Sequence, residues 1–226
     1  MSLIEPNPSP AAMLALFARW SDFAGPSDPS LNTLLYVHPE QHNMQVIYAL
    51  GLQDLMASDL RNARKVGWRF LAASALRQAV AANLAQVGDE PPQMTALTRG
   101  AEIASAIRAA QRVREFPPAK DPKYEYELRV LKIPGVLLEV FWLKATNGND
   151  LVVPYFALFC DKLTVMRVLQ VDEFLDIVKP LVQKRLQNSL RTEVGCGGGY
   201  DKASDAAYAG KDSATQPKVT SATSKD

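Results

Sequence analysis

Apolar residues recur at the spacing of an amphipathic helix in four stretches of the chain. The first stretch covers residues 10–24 and ends before Gly25 and Pro26, which are typical of a helix end. Its apolar stripe consists of Met13, Leu16, Phe17, Trp20 and Phe23. The other three stretches are residues 39–58, 98–116 and 172–190. We therefore predict four helices, the first two of which form an N-terminal helical segment.

Alternating apolar and polar residues indicate strands in the second half of the chain. Residues 124–130 alternate tyrosine, leucine and valine with charged residues, which is typical of a half-buried strand. The runs 136–143 and 151–158 flank an Asn147-Gly148 turn, so they predict a β-hairpin. Residues 165–169 predict a further short strand.

Residues 66–87 can be interpreted in two ways. Alternation of large apolar residues predicts a second hairpin, whereas the alanine content of the same stretch allows one long helix. The hairpin is favoured because Val66 and Gly67 are poor helix formers, and because Gly88 begins a strong stop signal.

The order of these elements predicts an α+β fold with a mainly antiparallel sheet built from hairpins and amphipathic helices packed on it. Residues 1–60 are predicted to be a helical part of the same body as residues 61–194. Two strand–strand–helix units, 66–116 and 124–190, indicate a structural pseudo-repeat. Residues 195–226 are poor in large apolar side chains, so we predict a disordered tail there.

Composition adds the class of protein. The chain has 226 residues, of which 47% are hydrophobic and 22% charged, with a net charge of +1. These values predict a soluble globular domain, and they exclude a wholly disordered chain or a collagen-like fibre. No run is long enough to predict a membrane helix, and residues 1–10 lack the pattern of a secretory signal. Because Cys160 and Cys196 lie in unrelated settings, we predict no disulfide and a cytoplasmic location.

Charge is distributed unevenly along the chain. Residues 1–60 contain one basic and six acidic residues, whereas residues 61–120 contain ten basic and four acidic residues. A basic patch could bind nucleic acid or another polyanion, with Trp68 and Phe70 available for stacking. The candidate binding residues are Arg61, Arg64, Lys65, Arg69, Arg108 and Arg112.

Candidate metal and catalytic residues are few. His38 and His42 are the two histidines, and on one helical face they could bind a metal ion in a metal-dependent enzyme. Pro39 argues against that helix, because the residue before a proline favours an extended conformation. Glu139 lies in an apolar run, so we expect it either to point outward or to pair with Arg129 or Lys132. We predict no catalytic residue and no cofactor.

The leading hypothesis is therefore a non-enzymatic interaction or scaffold protein. Its partner would be another protein or a second copy of the chain, which makes oligomers expected. The predicted contact surface is the first helix, through Phe17, Trp20 and Phe23. Polyanion binding and a metal-dependent enzyme remain the two alternatives.

Overall fold

The described residues form one mixed nine-stranded sheet with four α-helices, which confirms the α+β class. The computed structural model describes residues 3–5, 7–24, 43–57, 60–73, 79–116 and 124–195. The strands are β1 (Leu3–Ile4), β2 (Asn43–Ala49), β3 (Arg64–Ala73), β4 (Ala79–Ala85), β5 (Gln93–Arg99), β6 (Tyr126–Ile133), β7 (Leu138–Ala145), β8 (Leu151–Ala157) and β9 (Leu169–Gln170). The helices are α1 (Pro10–Ala24), α2 (Leu52–Met56), α3 (Ala101–Glu115) and α4 (Val171–Gly195).

The sheet consists of two antiparallel meanders joined in the middle. Its strand order is β5-β4-β3-β2-β6-β7-β8-β9, and β1 pairs with β6 beside β2. The two meanders meet where β2 runs parallel to β6, from Val46 opposite Arg129 to Ala49 opposite Lys132. Each meander of four strands is followed by a long helix, α3 or α4. The two units of the pseudo-repeat are thus present, and the first also contains β2.

The helices cover opposite faces of the sheet. Helix α3 packs on one face through Ile103, Ala106 and Val113, against a cluster that includes Leu128 and Phe141. We call this the concave face, because α3 touches both β4 and β8, which lie five positions apart in the strand order. Helices α1 and α4 pack on the other, convex face, α1 over β4 and β5 and α4 over β8 and β9.

The predicted second helix is wrong over most of its length. Residues 43–49 form β2, and the only helix within the described part of residues 39–58 is the five-residue α2. The reason is that β2 is central and covered on both faces. Met44 and Val46 contact the α1 side, whereas Ile47 contacts the α3 side. A strand that is apolar on both faces loses the alternation that identifies strands.

The other predicted elements are largely confirmed. Residues 66–87 contain the β3–β4 hairpin, and the turn at Gly148 joins β7 to β8. The short strand expected at 165–169 is instead β9, displaced to Leu169–Gln170. Pro180 lies inside α4. The predicted disordered tail lies outside the described residues, apart from Gly195. Within the described part of the chain, no helix is long and apolar enough to span a membrane.

Candidate functional site

Six consecutive strands each contribute one polar side chain to the concave face of the sheet. The strand pairing places these residues on the same side as the α3 cluster. From β4 to β8 they are Asn83, Arg69, Gln45, Lys132, Glu139 and Tyr155. We call them the polar cluster. Gln45 and Arg69 are only 1% and 3% exposed, so the cluster lies within the fold.

Arg69 is the centre of the polar cluster. Its Nη1 lies 2.5 Å from Glu139 Oε2 and its Nη2 lies 3.3 Å from Oε1, so the two groups form a bidentate ion pair. Arg69 Nε donates to Asn83 Oδ1 at 2.8 Å, and Nη1 also donates to the Tyr155 hydroxyl at 2.9 Å. These bonds connect β3 and β4 of the first meander with β7 and β8 of the second.

Glu139 accepts two further contacts. The Tyr155 hydroxyl donates to Oε2 at 2.8 Å, and Lys132 Nζ lies 3.2 Å from Oε1. The expected pairing with Lys132 is therefore confirmed. Arg129 lies on the convex face, because it pairs in register with Val46 and Trp142 there, so it does not contact Glu139. The partner that sequence analysis did not name is Arg69, which is 70 positions away along the chain.

Two members of the polar cluster, Glu139 and Tyr155, keep fixed protonation states near neutral pH. Burial alone would raise the pKa of Glu139, but the charges of Arg69 and Lys132, with hydrogen bonds from Arg69 and Tyr155, lower it to about 2. Burial and the charge of Glu139 raise the pKa of Tyr155 well above its usual value. Because Glu139 stays ionised and Tyr155 stays protonated, this geometry stabilises the sheet and does not exchange protons near pH 7.

Gln45 is the exception in the polar cluster. Neither its side-chain oxygen nor its side-chain nitrogen has a hydrogen-bond partner, although both atoms are buried. It lies directly opposite Arg69 in the β2–β3 pairing. A buried amide without partners costs free energy of folding, so Gln45 opposes the stabilisation that its neighbours provide.

Cations on the convex face are also held by aromatic rings and carboxylates. The Arg129 guanidinium lies 4.6 Å from the centre of the Tyr48 ring and 4.9 Å from that of Trp142. Its Nη2 donates to Glu127 at 2.5 Å. Lys144 contacts the carboxylate of Asp150 at 3.1 Å. The same carboxylate accepts a hydrogen bond from the indole N–H of Trp142. These contacts link β2, β6 and β7 on the convex face.

The structure does not bring the predicted polyanion-binding residues together on one element. The prediction that Arg69 binds a polyanion is corrected by the structure. Arg69 is buried in the ion pair with Glu139, so it does not reach a ligand on the surface. Exposed positions near the start of β3 hold Arg61, Arg64 and Lys65, and exposed positions of α3 hold Arg108 and Arg112. Lys65 Nζ contacts the Trp68 ring at 4.7 Å.

The predicted contact surface on α1 is divided between core and exterior. The prediction that Trp20 belongs to the contact surface is corrected by the structure. Trp20 is 3% exposed and packs edge-on against Phe70, so it belongs to the core. Phe17 is 42% exposed, and Leu14, about one turn earlier in the helix, is 70% exposed. Phe23 lies in α1, but its side chain is not among those that the structure describes. We call Leu14 and Phe17 the outer face of α1.

The predicted metal pair lies outside the described residues, since both His38 and His42 do. Within the described ranges, no group of three or more histidine, cysteine, aspartate or glutamate residues could hold a metal ion. The metal-enzyme hypothesis therefore stays a prediction. Cys160 is a buried free cysteine whose thiol pKa is raised by burial, as expected for a structural residue.

Replacing Glu139 by glutamine leaves Arg69 buried without an anionic partner. We expect E139Q to lower the free energy of unfolding by about 3–5 kcal/mol, measured by urea denaturation at pH 7. The matched control is E173Q, because Glu173 also contacts an arginine, Arg167, at 2.5 Å but is 42% exposed. The control should cost less than about 1 kcal/mol. Equal losses in the two variants would contradict the assigned role.

The same ion pair predicts acid sensitivity with a defined sign. Folding lowers the pKa of Glu139 from 4.5 to about 2. The ionised carboxylate therefore stabilises the folded state fully above pH 4.5, and this stabilisation is lost as the pH falls toward 2. The stability of the wild type should decrease across this window by about 3 kcal/mol more than that of E139Q.

Replacing Gln45 by methionine removes two unpaired polar atoms while keeping a side chain of similar length. We expect Q45M to raise the free energy of unfolding by about 1–2 kcal/mol, measured by urea denaturation. Asn83→Met is the contrasting variant, because Asn83 accepts a hydrogen bond from Arg69 and should lose stability. A loss of stability in Q45M would show that its amide is paired in solution.

Comparisons with known proteins add no family to this geometry. No family model, no curated protein and no solved structure matches the chain. The argument for function therefore rests on the placement and chemistry of the residues described above.

Proposed function

We propose that the chain is a non-enzymatic interaction or scaffold protein that docks a protein partner, or a second copy of itself, through the outer face of α1. The observation that carries this proposal is the distribution of apolar side chains around α1. Ala12, Leu16 and Trp20 are buried against the convex face of the sheet. The opposite side of the same helix is also apolar, because it carries Leu14 and Phe17.

A helix that is apolar on both sides is unusual at a protein surface. Among the 15 residues of α1, the polar side chains are those of Arg19, Ser21 and Asp22, all in its last two turns. Arg19 and Asp22 form an exposed ion pair at 3.0 Å, so this charged end could form the rim of a contact. An apolar centre with a polar rim is the usual arrangement of a protein–protein interface.

The chemistry of the concave face supports the non-enzymatic part of the proposal. Its most buried titratable groups, Arg69, Glu139 and Tyr155, are bonded to one another. A general base near neutral pH needs a pKa close to 7, whereas that of Glu139 is lowered to about 2.

Substitution of the outer face tests the proposal without disturbing the core. Deleting residues 1–25 would also remove Ala12, Leu16 and Trp20, so point variants are the better experiment. We expect the wild type to self-associate, and the variant L14S/F17S to return toward the 24.8 kDa of one chain in size-exclusion chromatography with light scattering. If the partner is another protein, the variant should lose it from cross-linked complexes while keeping its unfolding transition.

The matched control is V87S, because Val87 is 72% exposed, close to the 70% of Leu14, but lies between β4 and β5. This variant should keep the wild-type mass and complexes. The proposal is wrong if L14S/F17S leaves both the mass and the cross-linked complexes unchanged.

Polyanion binding is the second candidate function, favoured by one observation. Arg108 and Arg112 are both exposed and lie one turn apart on α3. We expect a double variant, R108A/R112A, to weaken binding of a single-stranded oligonucleotide, with an affinity that falls steeply as salt rises. Absence of binding in a low-salt filter assay of the wild type would exclude this candidate.

A further inference from the structure

A cleft of about 500 Å³ opens at the end of the concave face, away from α1 and from the polar cluster. It lies between the C-terminal end of α3, the start of β6, the β7–β8 turn and β9. Its lining residues are Phe116, Tyr124, Tyr126, Gly148, Asn149, Leu151, Val168, Leu169, Gln170 and Glu173. Pockets that hold small organic ligands are typically about 300–1,000 Å³, so the cleft has the volume for one.

One wall of the cleft is aromatic. The rings of Tyr124 and Tyr126 stack with their centres 6.3 Å apart and their planes inclined by 22°. Tyr126 is 5% exposed, whereas Tyr124 is 41% exposed and presents its ring to the solvent side. The turn at Gly148 lies next to this ring, because a Cβ added at Gly148 would be 4.0 Å from it. An aromatic surface of this kind favours flat, ring-containing ligands.

The rim of the cleft carries hydrogen-bonding side chains. Among the described residues, its lining includes one carboxylate, that of Glu173, and two amides, those of Asn149 and Gln170. Glu173 is held in place by Arg167, whose Nη2 donates to Oε1 at 2.5 Å. Burial, then the charges of Tyr124 and Asp150, raise the pKa of Tyr126, so its hydroxyl remains neutral. Because Arg167 balances the charge of Glu173, the rim offers a ligand mainly hydrogen-bond acceptors.

We propose that this cleft binds a small, planar aromatic molecule with N–H donors, which stacks on Tyr124 and donates hydrogen bonds to the rim formed by Glu173, Asn149 and Gln170. The aromatic wall supplies dispersion and stacking contacts, and the rim oxygens orient the ring. The site is separate from the outer face of α1, which lies on the convex side. The proposed ligand site therefore does not depend on the proposed docking function, and each can be tested without the other.

The test uses a defined probe and the full chain. Titration of 2-aminobenzimidazole, a planar ring compound with N–H donors, is followed by two-dimensional NMR of the backbone amides. We expect saturable shifts at Asn149 and Gln170. The planar anion naphthalene-2-sulfonate and the non-aromatic cation cyclohexylamine should each bind more weakly than the probe.

Variants locate the binding. Tyr124→Ala should weaken the affinity about tenfold, whereas Tyr124→Phe, which keeps the ring, should change it less than about twofold. The matched control is Phe159→Ala, because Phe159 is also an exposed aromatic residue, at 54%, but lies between β8 and β9 and does not line the cleft. The proposal is overturned if no saturable shift occurs at the cleft, if the sulfonate binds as tightly as the probe, or if Tyr124→Ala behaves like Phe159→Ala.

Discussion

The ion pair between Arg69 and Glu139 connects the two meanders across the concave face of the sheet. Apart from this ion pair and its hydrogen bonds, the two meanders are joined mainly by four residue pairs between β2 and β6. Arg69 belongs to β3 and Tyr155 to β8, which are four strands apart, about 19 Å in a flat sheet. Their 2.9 Å hydrogen bond therefore requires a curved sheet. Because Arg69 is buried, removing Glu139 would leave its charge without solvent or counter-charge.

Curvature determines where the helices lie and which surfaces stay accessible. The concave face accommodates α3, whose small side chains Ala106, Ala109 and Ala110 allow a close approach to the sheet. The convex face is wider and holds α1 and α4 over separate halves. A helix on a convex surface is covered on one side, so the apolar outer face of α1 is left exposed. The cleft lies at the other end, where α3 stops short of β9.

Much of the architecture could be predicted from local patterns, whereas the candidate sites could not. Hairpins and α3 were predictable because turn residues and helical spacing are read from neighbouring residues. Of the polar cluster, the Glu139–Lys132 contact was one of the alternatives expected for Glu139, since adjacent antiparallel strands bring such residues together. Gln45, Asn83 and Tyr155 could not be predicted, because an isolated polar residue in a strand carries no sign of which face is buried.

The sequence by itself determined the fold class, most of the elements and the uneven charge of the chain, because each depends on residues close together. Only the tertiary structure decided what those elements do. It made Arg69 a buried structural cation by placing Glu139, 70 positions away, against it. It made Trp20 part of the core and left Phe17 of the same helix exposed. Strand order and sheet curvature decide these outcomes, and neither is recorded in local spacing.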